Sequence, residues 1–312
     1  MDALYRIGID ENGLGARLGP LVVTAVIART DEAGRKALER RVPKRLRGAV
    51  DDSKRLVSHT DVRLGEAWAR ELAADDVSSP EALFEALSLE GSQKLREPCP
   101  REAEAQCWHG KGSVFEAGDA ERRRVARHRE LLAKRGIELV GVKTSVVCTD
   151  RLNAARREGR NRFVSDLHAM ERLVIDLRRT VGTDVHAVCG KVGGMGDYSR
   201  FFGPLGGHLH VVLDSGRKKS AYRFPGLGEL VFLRDADASD ALVMLASLVG
   251  KYVRELFMGR IAAHYPSSEE DPRPSGYHDP VTAGFVKRTA LVRKDRGIPQ
   301  GCFERDRDPL DS

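Results

Sequence analysis

Two adjacent carboxylates, Asp10 and Glu11, end the first strand-like segment of the chain and precede a glycine-rich turn. Carboxylates at strand ends can converge on hard cations, which prefer oxygen ligands. The turn, ENGLGARLG, contains three glycines. This density indicates backbone conformations closed to other residues, or the close approach of a ligand. An acidic pair at a strand end is by itself usually a solvated turn, so the rest of the sequence must support a site.

Two further segments carry charged side chains that such a site needs. The stretch DSKRL places Lys54 and Arg55 where they can meet phosphate, and Asp237 precedes a long apolar segment that contains Lys251 and Arg254. A solvated helix surface explains Lys251 and Arg254 about equally well, because the helix dipole favours positive charge near a C-terminus.

Together these segments resemble the motifs of the type-two ribonuclease H family. The family's first motif, G-x-D-E-x-G-x-G-x-x-x-G-P, matches residues 8–20, and its motif D-S-K-K/R-L matches residues 52–56. A later motif, an Asp followed by A-S-I-L-A-K-V-x-R-D, is similar to Asp237 and residues 246–255. A terminal G-Y segment is similar to residues 275–278.

The resemblance implies a ribonuclease H-like α/β fold, in which helices flank a mixed β-sheet. It implies metal-dependent endonucleolytic hydrolysis of the RNA strand of RNA–DNA hybrids. Asp10, Glu11 and Asp237 correspond to three of the family's four metal-binding carboxylates, with Mg²⁺ or Mn²⁺ as the expected cofactor. Two cations about 3.5–4 Å apart activate a water molecule and stabilise the leaving oxygen in such sites.

The fourth carboxylate is missing from its expected place. The family has an Asp-Gly step at the end of a middle strand, where this chain has Cys189-Gly190. A thiolate is a poor ligand for magnesium, and glycine offers no side-chain ligand. Five other acids nearby in sequence could substitute for it: Asp184, Asp197, Asp214, Asp235 and Asp240. Asp184 and Asp214 are the leading candidates.

The missing acid leaves more than one function open. The first hypothesis is a nuclease that acts on RNA–DNA hybrids. The alternative is a catalytically weakened or inactive nucleic-acid-binding pseudoenzyme of the same fold. A third possibility is another nuclease of the wider superfamily, such as one that cuts DNA.

The resemblance also implies contacts to nucleic acid. The family's Gly-Arg-Gly, which contacts the 2′-hydroxyl beside the cut through its backbone, is Gly13-Leu14-Gly15 here. The backbone amides remain and the guanidinium is lost, so discrimination by the 2′-hydroxyl can persist with a weaker grip on phosphate. Tyr277 corresponds to a tyrosine that stacks on a deoxyribose, although a tyrosine packed at a loop corner is an equal alternative.

The elements that must position these residues follow from apolar periodicity. Strands are predicted at residues 4–9, 20–28, 139–147, 185–188, 208–213 and 229–233. Helices are predicted from Ser79, from Phe163 and from Ser239, together with a basic helix over residues 121–134 that is either solvated or tracks phosphate. Alternating strands and helices favour an α/β sheet with helices on its faces and a helical C-terminal part.

The domain organisation predicted from these patterns is simple. Residues 1–300 are expected to form one ribonuclease H-like domain, and residues 301–312 a C-terminal tail. An irregular insertion is expected at about residues 90–119, because prolines and glycines are frequent there.

Composition sets the remaining limits. The 312 residues carry a net charge of +6, which permits a nucleic-acid partner without requiring one. The five cysteines lack the CxxC spacing typical of structural zinc, and no apolar segment has the length of a membrane span. We therefore expect a cytoplasmic protein without a membrane partner, whose partner is RNA–DNA hybrid or other nucleic acid. No protein partner can be inferred.

Overall fold

The computed structural model describes residues 4–73, 77–108, 113–192, 195–266 and 271–306. Within these ranges, seven strands form one mixed sheet in the order β3-β2-β1-β4-β7-β6-β5. The strands are β1 (Leu4–Asn12), β2 (Leu21–Thr30), β3 (Ile137–Val147), β4 (Val185–Gly190), β5 (Val211–Ser215), β6 (Lys219–Phe224) and β7 (Gly228–Leu233).

Helices cover both faces and one end of this sheet. In chain order they are α1 (Glu32–Leu38), α2 (Ser53–Leu56), α3 (Arg63–Leu72), α4 (Pro80–Leu87), α5 (Gly91–Arg96), α6 (Asp119–Ala133), α7 (Thr149–Arg157), α8 (Arg162–Val181), α9 (Ala236–Ser239), α10 (Ala241–Ala263), α11 (Pro280–Arg288), α12 (Ala290–Asp295) and α13 (Gln300–Phe303). No helix in the described part of the chain is long and apolar enough to span a membrane.

The direction of the central strands places their C-terminal ends together. β1, β2 and β3 are antiparallel neighbours, whereas β1 and β4, and β4 and β7, are parallel. In the pairing of β1 with β4, Ile9 lies opposite Cys189. The two strand ends that follow these residues therefore meet at one edge of the sheet.

The two faces of β1 carry different partners. Ile7 and Ile9 pack in the core that α8 covers, whereas Gly8 faces α10. A Cβ on Gly8 would lie only 2.3 Å from the backbone carbon of Leu242, so glycine permits the close approach of α10. Because side chains alternate along a strand, Asp10 points to the α10 face and Glu11 to the α8 face.

The predicted mixed sheet flanked by helices is confirmed. β1 runs three residues beyond the predicted 4–9, and the strand predicted at 208–213 instead occupies Val211–Ser215. Sequence patterns missed β6, whose charged ends Lys219 and Arg223 weaken its apolar signal.

Two predicted irregular regions contain more order than expected. The segment 90–119 includes α5, the 3₁₀-helix Gln106–Trp108 and the first residue of α6, although residues 109–112 lie outside the described ranges. Of the predicted tail 301–312, residues 301–303 belong to α13, and the Arg305 backbone N–H donates to Arg17 O. The described part of this segment is therefore packed against the domain.

Candidate active site

Three of the sequence-predicted carboxylates lie around one open cleft at the ends of β1 and β4. Asp10, Glu11 and Asp237 line this cleft together with Gly190, and its volume is about 470 Å³. Asp10 is 8% exposed, whereas the side chain of Asp237 is 41% exposed. Two acids are therefore fixed by the sheet, and the third lies at the mouth.

The register shows which residue occupies the place of the missing acid. An ideal Cβ on Gly190 would lie 3.7 Å from Glu11 Oε2 and 3.9 Å from Asp10 Oδ1. Cys189 is fully buried and packs in the core on the α8 face. Gly190, which lines the cleft, therefore lies next to both strand-end carboxylates, whereas Cys189 does not line the cleft and is not positioned there as a substitute ligand.

Asp237 reaches the cleft from the short helix α9. We expect from the sequence that it opens the long apolar helix, but α10 begins four residues later. Its cap is Asp240, whose side chain accepts hydrogen bonds from the backbone N–H groups of Leu242 and Val243. The separate α9 turns Asp237 toward Lys54, whose Nζ lies 3.9 Å from Asp237 Oδ2.

A chain of hydroxyl groups connects the motifs behind the cleft. The Ser247 hydroxyl of α10 lies near Asp10 and acts to lower the pKa of that carboxyl. Ser247 Oγ in turn lies 3.0 Å from the hydroxyl of Ser53, the first residue of α2. The DSKRL segment and the helix that follows Asp237 are thereby held against β1.

Burial and mutual repulsion dominate the electrostatics of the two strand-end acids. Burial raises the pKa of Asp10 to about 7; the Ser247 hydroxyl opposes this shift, and the charge of Asp237 adds to it. Burial, followed by the charges of Asp166 and Asp10, raises the pKa of Glu11 well above its usual range. A cation in the cleft would relieve this repulsion.

Sequence analysis missed Asp166, a buried acid on α8. Asp166 is fully buried, and neither of its carboxylate oxygens has a hydrogen-bond partner in the structure. Burial and the charge of Asp10 raise the pKa of Asp166 well above its usual range. The one sequence feature that could have indicated a buried acid is the position of Asp166 beside Leu167 and near Met170, on the apolar face of a helix.

Basic side chains at the cleft come from the segment that lengthens the interval between β4 and Asp237. Lys191, Arg217 and Arg234 line the cleft together with the acids. Lys191 Nζ is held 2.7 Å from Ser220 Oγ, whereas both arginines are exposed. Sequence motifs missed these residues because they lie outside every matched segment.

The glycine-rich loop is supported from below by a buried arginine. Gly13 has φ +87°, and a Cβ there would lie 2.6 Å from Arg254 Nε. Arg254 is 1% exposed, pairs with Glu255 and donates to Ser275 O. The buried Arg254 guanidinium supports the loop in this structure, and its predicted contact with phosphate stays a prediction.

Tyr277 lies above the same arginine. Its ring centroid is 4.6 Å from Arg254 Cζ, and the residue is 42% exposed. The neighbouring Gly276 O accepts the backbone N–H groups of Arg17 and Leu18. The ring is thus an exposed platform beside the glycine-rich loop, where Leu14 is partly exposed and Gly15 has no atom within 4 Å of its ideal Cβ.

The remaining predicted basic residues differ in availability. The side chains of Lys54 and Arg55 are 77% and 63% exposed, and Arg55 also lies 3.6 Å from Asp51. Lys251 is partly buried, and its Nζ lies 3.4 Å from Val57 O. Lys54 is therefore the predicted lysine best placed at the cleft.

The acids considered as substitutes mostly lie elsewhere. Asp184 precedes the first residue of β4 and so lies at the opposite end of that strand from Gly190. Asp214 and Asp197 accept backbone N–H groups of their own loops. Only Asp235 of the five lines the cleft, and it has φ +57°, an unusual value for a non-glycine residue.

The donors at the cleft fit a hard divalent cation. Asp10, Glu11 and Asp237 offer carboxylate oxygens, the ligands that Mg²⁺ and Mn²⁺ prefer. Among the described residues, however, no three His, Cys, Asp or Glu side chains already stand close enough to share one ion. The exposed side chain of Asp237 would have to turn inward to complete such a set.

Comparison with known proteins gives only distant structural similarity. No family model matches the chain. No curated protein sequence matches it either. Ribonuclease HII from Archaeoglobus fulgidus, solved in a complex with PCNA, is 16% identical, with a TM-score of 0.42, over 99% of this chain and 100% of that chain.

Two further solved structures that are similar to the chain are also ribonucleases H. Bst-RNase HIII in complex with Mn²⁺ is 14% identical with a TM-score of 0.48, over 99% of this chain and 68% of that chain. Ribonuclease H2 from Pyrococcus horikoshii OT3 is 17% identical with a TM-score of 0.42, over 96% and 92%. The chain is thus similar to these three solved ribonuclease H structures at 14–17% identity.

Proposed function

We propose that this protein is a divergent ribonuclease H-like endonuclease that hydrolyses the RNA strand of RNA–DNA hybrids. The observation that carries the proposal is the cleft that Asp10, Glu11 and Asp237 line together with exposed basic side chains. Anionic carboxylates beside a phosphate-binding surface are useful only if a cation lies between them and the substrate. The hybrid substrate follows from the motif resemblance, and the free cysteines fit a reducing compartment such as the cytoplasm.

The chain's own residues have separable roles in this proposal. A bound divalent cation would supply an activated water molecule and stabilise charge on the leaving oxygen. Asp10, Glu11 and Asp237 would hold it, with Lys54 beside Asp237. Asp166 places a third buried carboxyl group behind Glu11, in a position with no hydrogen-bond donor.

The substrate would lie across the exposed basic residues and the glycine-rich loop. Arg217 and Arg234, which line the cleft and are exposed, would bind phosphate at its mouth. The backbone of Gly13 to Gly15 would contact a 2′-hydroxyl, the group that distinguishes RNA from DNA. Tyr277, held over Arg254, would stack on a sugar next to the cut.

A second candidate function is a nucleic-acid-binding pseudoenzyme, and Gly190 favours it. Gly190 gives no ligand at the position closest to both strand-end acids. The loss of one cation from a two-cation site removes charge stabilisation from the transition state, and about 1.4 kcal/mol corresponds to a tenfold change in rate. We therefore expect feeble wild-type activity that is stronger with Mn²⁺ than with Mg²⁺.

A cleavage assay distinguishes the candidates. End-labelled RNA–DNA hybrid, duplex RNA and duplex DNA are incubated with the wild type and with Asp10→Asn, in Mg²⁺ or Mn²⁺. The proposal predicts cuts in the RNA strand of the hybrid alone, which Asp10→Asn abolishes. Hybrid binding without cleavage in either ion would assign the pseudoenzyme, and preferential cleavage of duplex DNA would assign a different nuclease.

A further inference from the structure

A second concentration of basic side chains lies on the α10 side of the sheet, apart from the acid cleft. It begins in the connection between α1 and α2, where residues 40–47 include five basic residues and no acid. Val42 and Leu46 of this segment are buried in the core that α10 shares. Four of the basic residues around them are exposed: Arg40, Arg41, Lys44 and Arg45.

Hydrogen bonds give this segment a fixed backbone. The 3₁₀-helix Lys44–Leu46 follows Pro43, whose carbonyl oxygen accepts the Leu46 N–H at 2.9 Å. Three residues further on, Ala49 O accepts the indole N–H of the buried Trp68 of α3 at 2.8 Å. The exposed basic side chains therefore project from a backbone that is already held in place.

Helix α6 extends the same surface. An ideal Cβ on Gly48 would lie 3.8 Å from a terminal nitrogen of Arg124 and 3.5 Å from Nε2 of His128, so α6 borders the end of the segment. Arg127 follows Arg124 by three residues and thus lies on the same side of the helix, and both arginines are exposed. We call the six exposed residues the basic patch: Arg40, Arg41, Lys44, Arg45, Arg124 and Arg127.

The charges of the basic patch are not matched by acids. Within the described ranges, none of its six side chains has a hydrogen bond or an ion pair. Other arginines of α6 differ, since Arg129 lies 2.9 Å from Glu71, and Arg122 and Arg123 lie 3.8 and 4.0 Å from Asp119. Like charges gathered without counter-charges repel one another, and a polyanion would relieve that repulsion.

The chemistry of the basic patch favours one class of polyanion. Five of its six residues are arginine, whose planar guanidinium binds phosphate through two parallel hydrogen bonds. No large apolar side chain is exposed on residues 39–48 or on α6, so the patch lacks the anchors that a membrane surface or a bound peptide requires. The same two segments contain no Phe, Tyr or Trp on which the bases of a single strand would stack.

We propose that the basic patch is a second nucleic-acid-binding surface, which binds the phosphate backbone of a duplex outside the cleft without contacting its bases. None of its six residues lines the cleft. Lys54, which does lie beside Asp237, follows Arg45 by nine residues, and nine residues span at most about 32 Å. About ten base pairs of duplex cover that distance, at 3.4 Å for each pair.

The proposal assigns separate parts of the basic helix that the sequence predicts. Arg124 and Arg127 contact phosphate, whereas Arg122 and Arg123 stay with Asp119 and do not. The inference does not depend on the proposed nuclease function, because it requires neither the acids of the cleft nor a metal.

The test is the affinity of the full-length protein for a fluorescent 30-base-pair DNA duplex, measured by anisotropy in a chelator at several salt concentrations. To remove phosphate binding at the cleft, every protein carries Arg217→Ala/Arg234→Ala. The patch variants add Lys44→Ala/Arg45→Ala or Arg124→Ala/Arg127→Ala. The matched control adds Arg157→Ala/Arg179→Ala, which removes the same charge from exposed positions on α7 and α8. Circular dichroism shows that each variant folds.

Each phosphate contact contributes about 0.9 to the slope of log affinity against log salt, so either patch variant should lower that slope by about two and weaken binding roughly tenfold. The α7 and α8 control should keep the slope of the parent protein. Because the measurement is binding in a chelator, failure of the proposed cleavage would not alter this expectation.

Three results would overturn the proposal. An unchanged slope in both patch variants would show that the basic patch does not contact phosphate. An equal decrease in the control would assign the effect to net charge alone. Tighter binding of a single strand, of a polyglutamate peptide or of phosphatidylserine vesicles than of the duplex, lost in the same patch variants, would assign the surface to a different partner.

Discussion

At the scale of single residues, the cleft is defined by one absent side chain and one unexpected one. Gly190 occupies the place where a carboxylate would complete the set around Asp10 and Glu11. Asp166 places an acid without hydrogen-bond partners behind them. The two features have separate consequences for catalysis and for stability.

Substitution of Gly190 by Asp is expected to speed hybrid cleavage. The new carboxylate would project beside Asp10 and Glu11, and the φ of Gly190 lies outside the left-handed region, so the backbone accepts a side chain. A gain of about 10- to 100-fold corresponds to roughly 1.4–2.7 kcal/mol of transition-state stabilisation. The measurement is the single-turnover cleavage rate in Mg²⁺.

Two controls make this prediction specific. Gly190→Asn has the same shape without the charge and should show no gain. Cys189→Asp places its charge in the core beneath α8 and should lower the thermal midpoint instead. An equal gain from Gly190→Asn, or a gain from Cys189→Asp alone, would refute the register described above.

The raised carboxyl pKa values predict that the metal-free protein loses stability as pH rises. The folded state binds protons more tightly than the unfolded state when a carboxyl pKa is raised, so the free energy of unfolding falls with increasing pH. For Asp10 this fall runs from about pH 4, the ordinary value, to about pH 7. Urea unfolding in a chelator across this range measures it.

Replacement of Asp166 by Asn should raise the free energy of unfolding at pH 8 in a chelator, by about 1–3 kcal/mol, because it removes a buried carboxyl group that has no hydrogen-bond partner and whose pKa is raised by burial. Glu171→Gln is the matched control on α8. Its carboxylate accepts the backbone N–H groups of Gly203 and Leu205, so its removal should give a smaller gain or a loss. Equal effects of the two substitutions would show that the cost of burying Asp166 is compensated by its surroundings, and would contradict this prediction.

At the scale of elements, sequence patterns predicted the strands that border the cleft but not everything that surrounds it. β1 and the glycine-rich loop follow from local signals: a strand, two acids and spaced glycines. Asp166 was invisible because one acid on a helix carries no sign of what it faces. The packing of residues 304–306 against the loop was invisible because only tertiary contacts produce it.

Arg305 is expected to hold the glycine-rich loop in its binding conformation. It is 4% exposed, and its guanidinium donates to the carbonyl oxygens of Gly13, Leu14 and Gly19. Arg305→Met should therefore weaken hybrid binding about tenfold and lower the free energy of unfolding by about 1–3 kcal/mol. Fluorescence anisotropy with labelled hybrid in a chelator measures the affinity.

The control for Arg305 is Arg296→Met. Arg296 also donates to a backbone carbonyl, that of His264, but does not bond to the loop. The Arg296→Met variant should have a lower free energy of unfolding than the wild type, without a comparable loss of affinity for the hybrid. If both variants lose affinity equally, the effect comes from general destabilisation and the loop assignment fails.

At the scale of the whole molecule, charge is distributed so that a mildly basic chain has an acidic cleft with a basic mouth. The net charge of +6 is small for 312 residues, yet Arg217 and Arg234 stand exposed at the cleft. Nucleic-acid binding should therefore come from this local surface and survive removal of metal.

Hybrid affinity in a chelator should fall steeply as salt rises, because each phosphate neutralised by the protein releases counterions. The double variant Arg217→Ala/Arg234→Ala should bind more weakly and with a smaller slope. Arg122→Ala/Arg123→Ala on α6, which packs on α3 and β3, is the matched control and should leave the slope unchanged. A flat salt dependence of the wild type would argue against phosphate binding at the cleft.

Calorimetric titration of Mn²⁺ into the protein tests the central claim most directly, because cleavage requires that the acids hold a cation. The wild type should bind one Mn²⁺ at the cleft at pH 8, and Asp10→Asn should lose that binding while remaining folded. Gly190→Asp should bind a second ion or bind the first more tightly. Mn²⁺ binding that is unchanged in Asp10→Asn, or absent from both the wild type and Gly190→Asp, would contradict the assignment of this cleft as a metal-dependent active site.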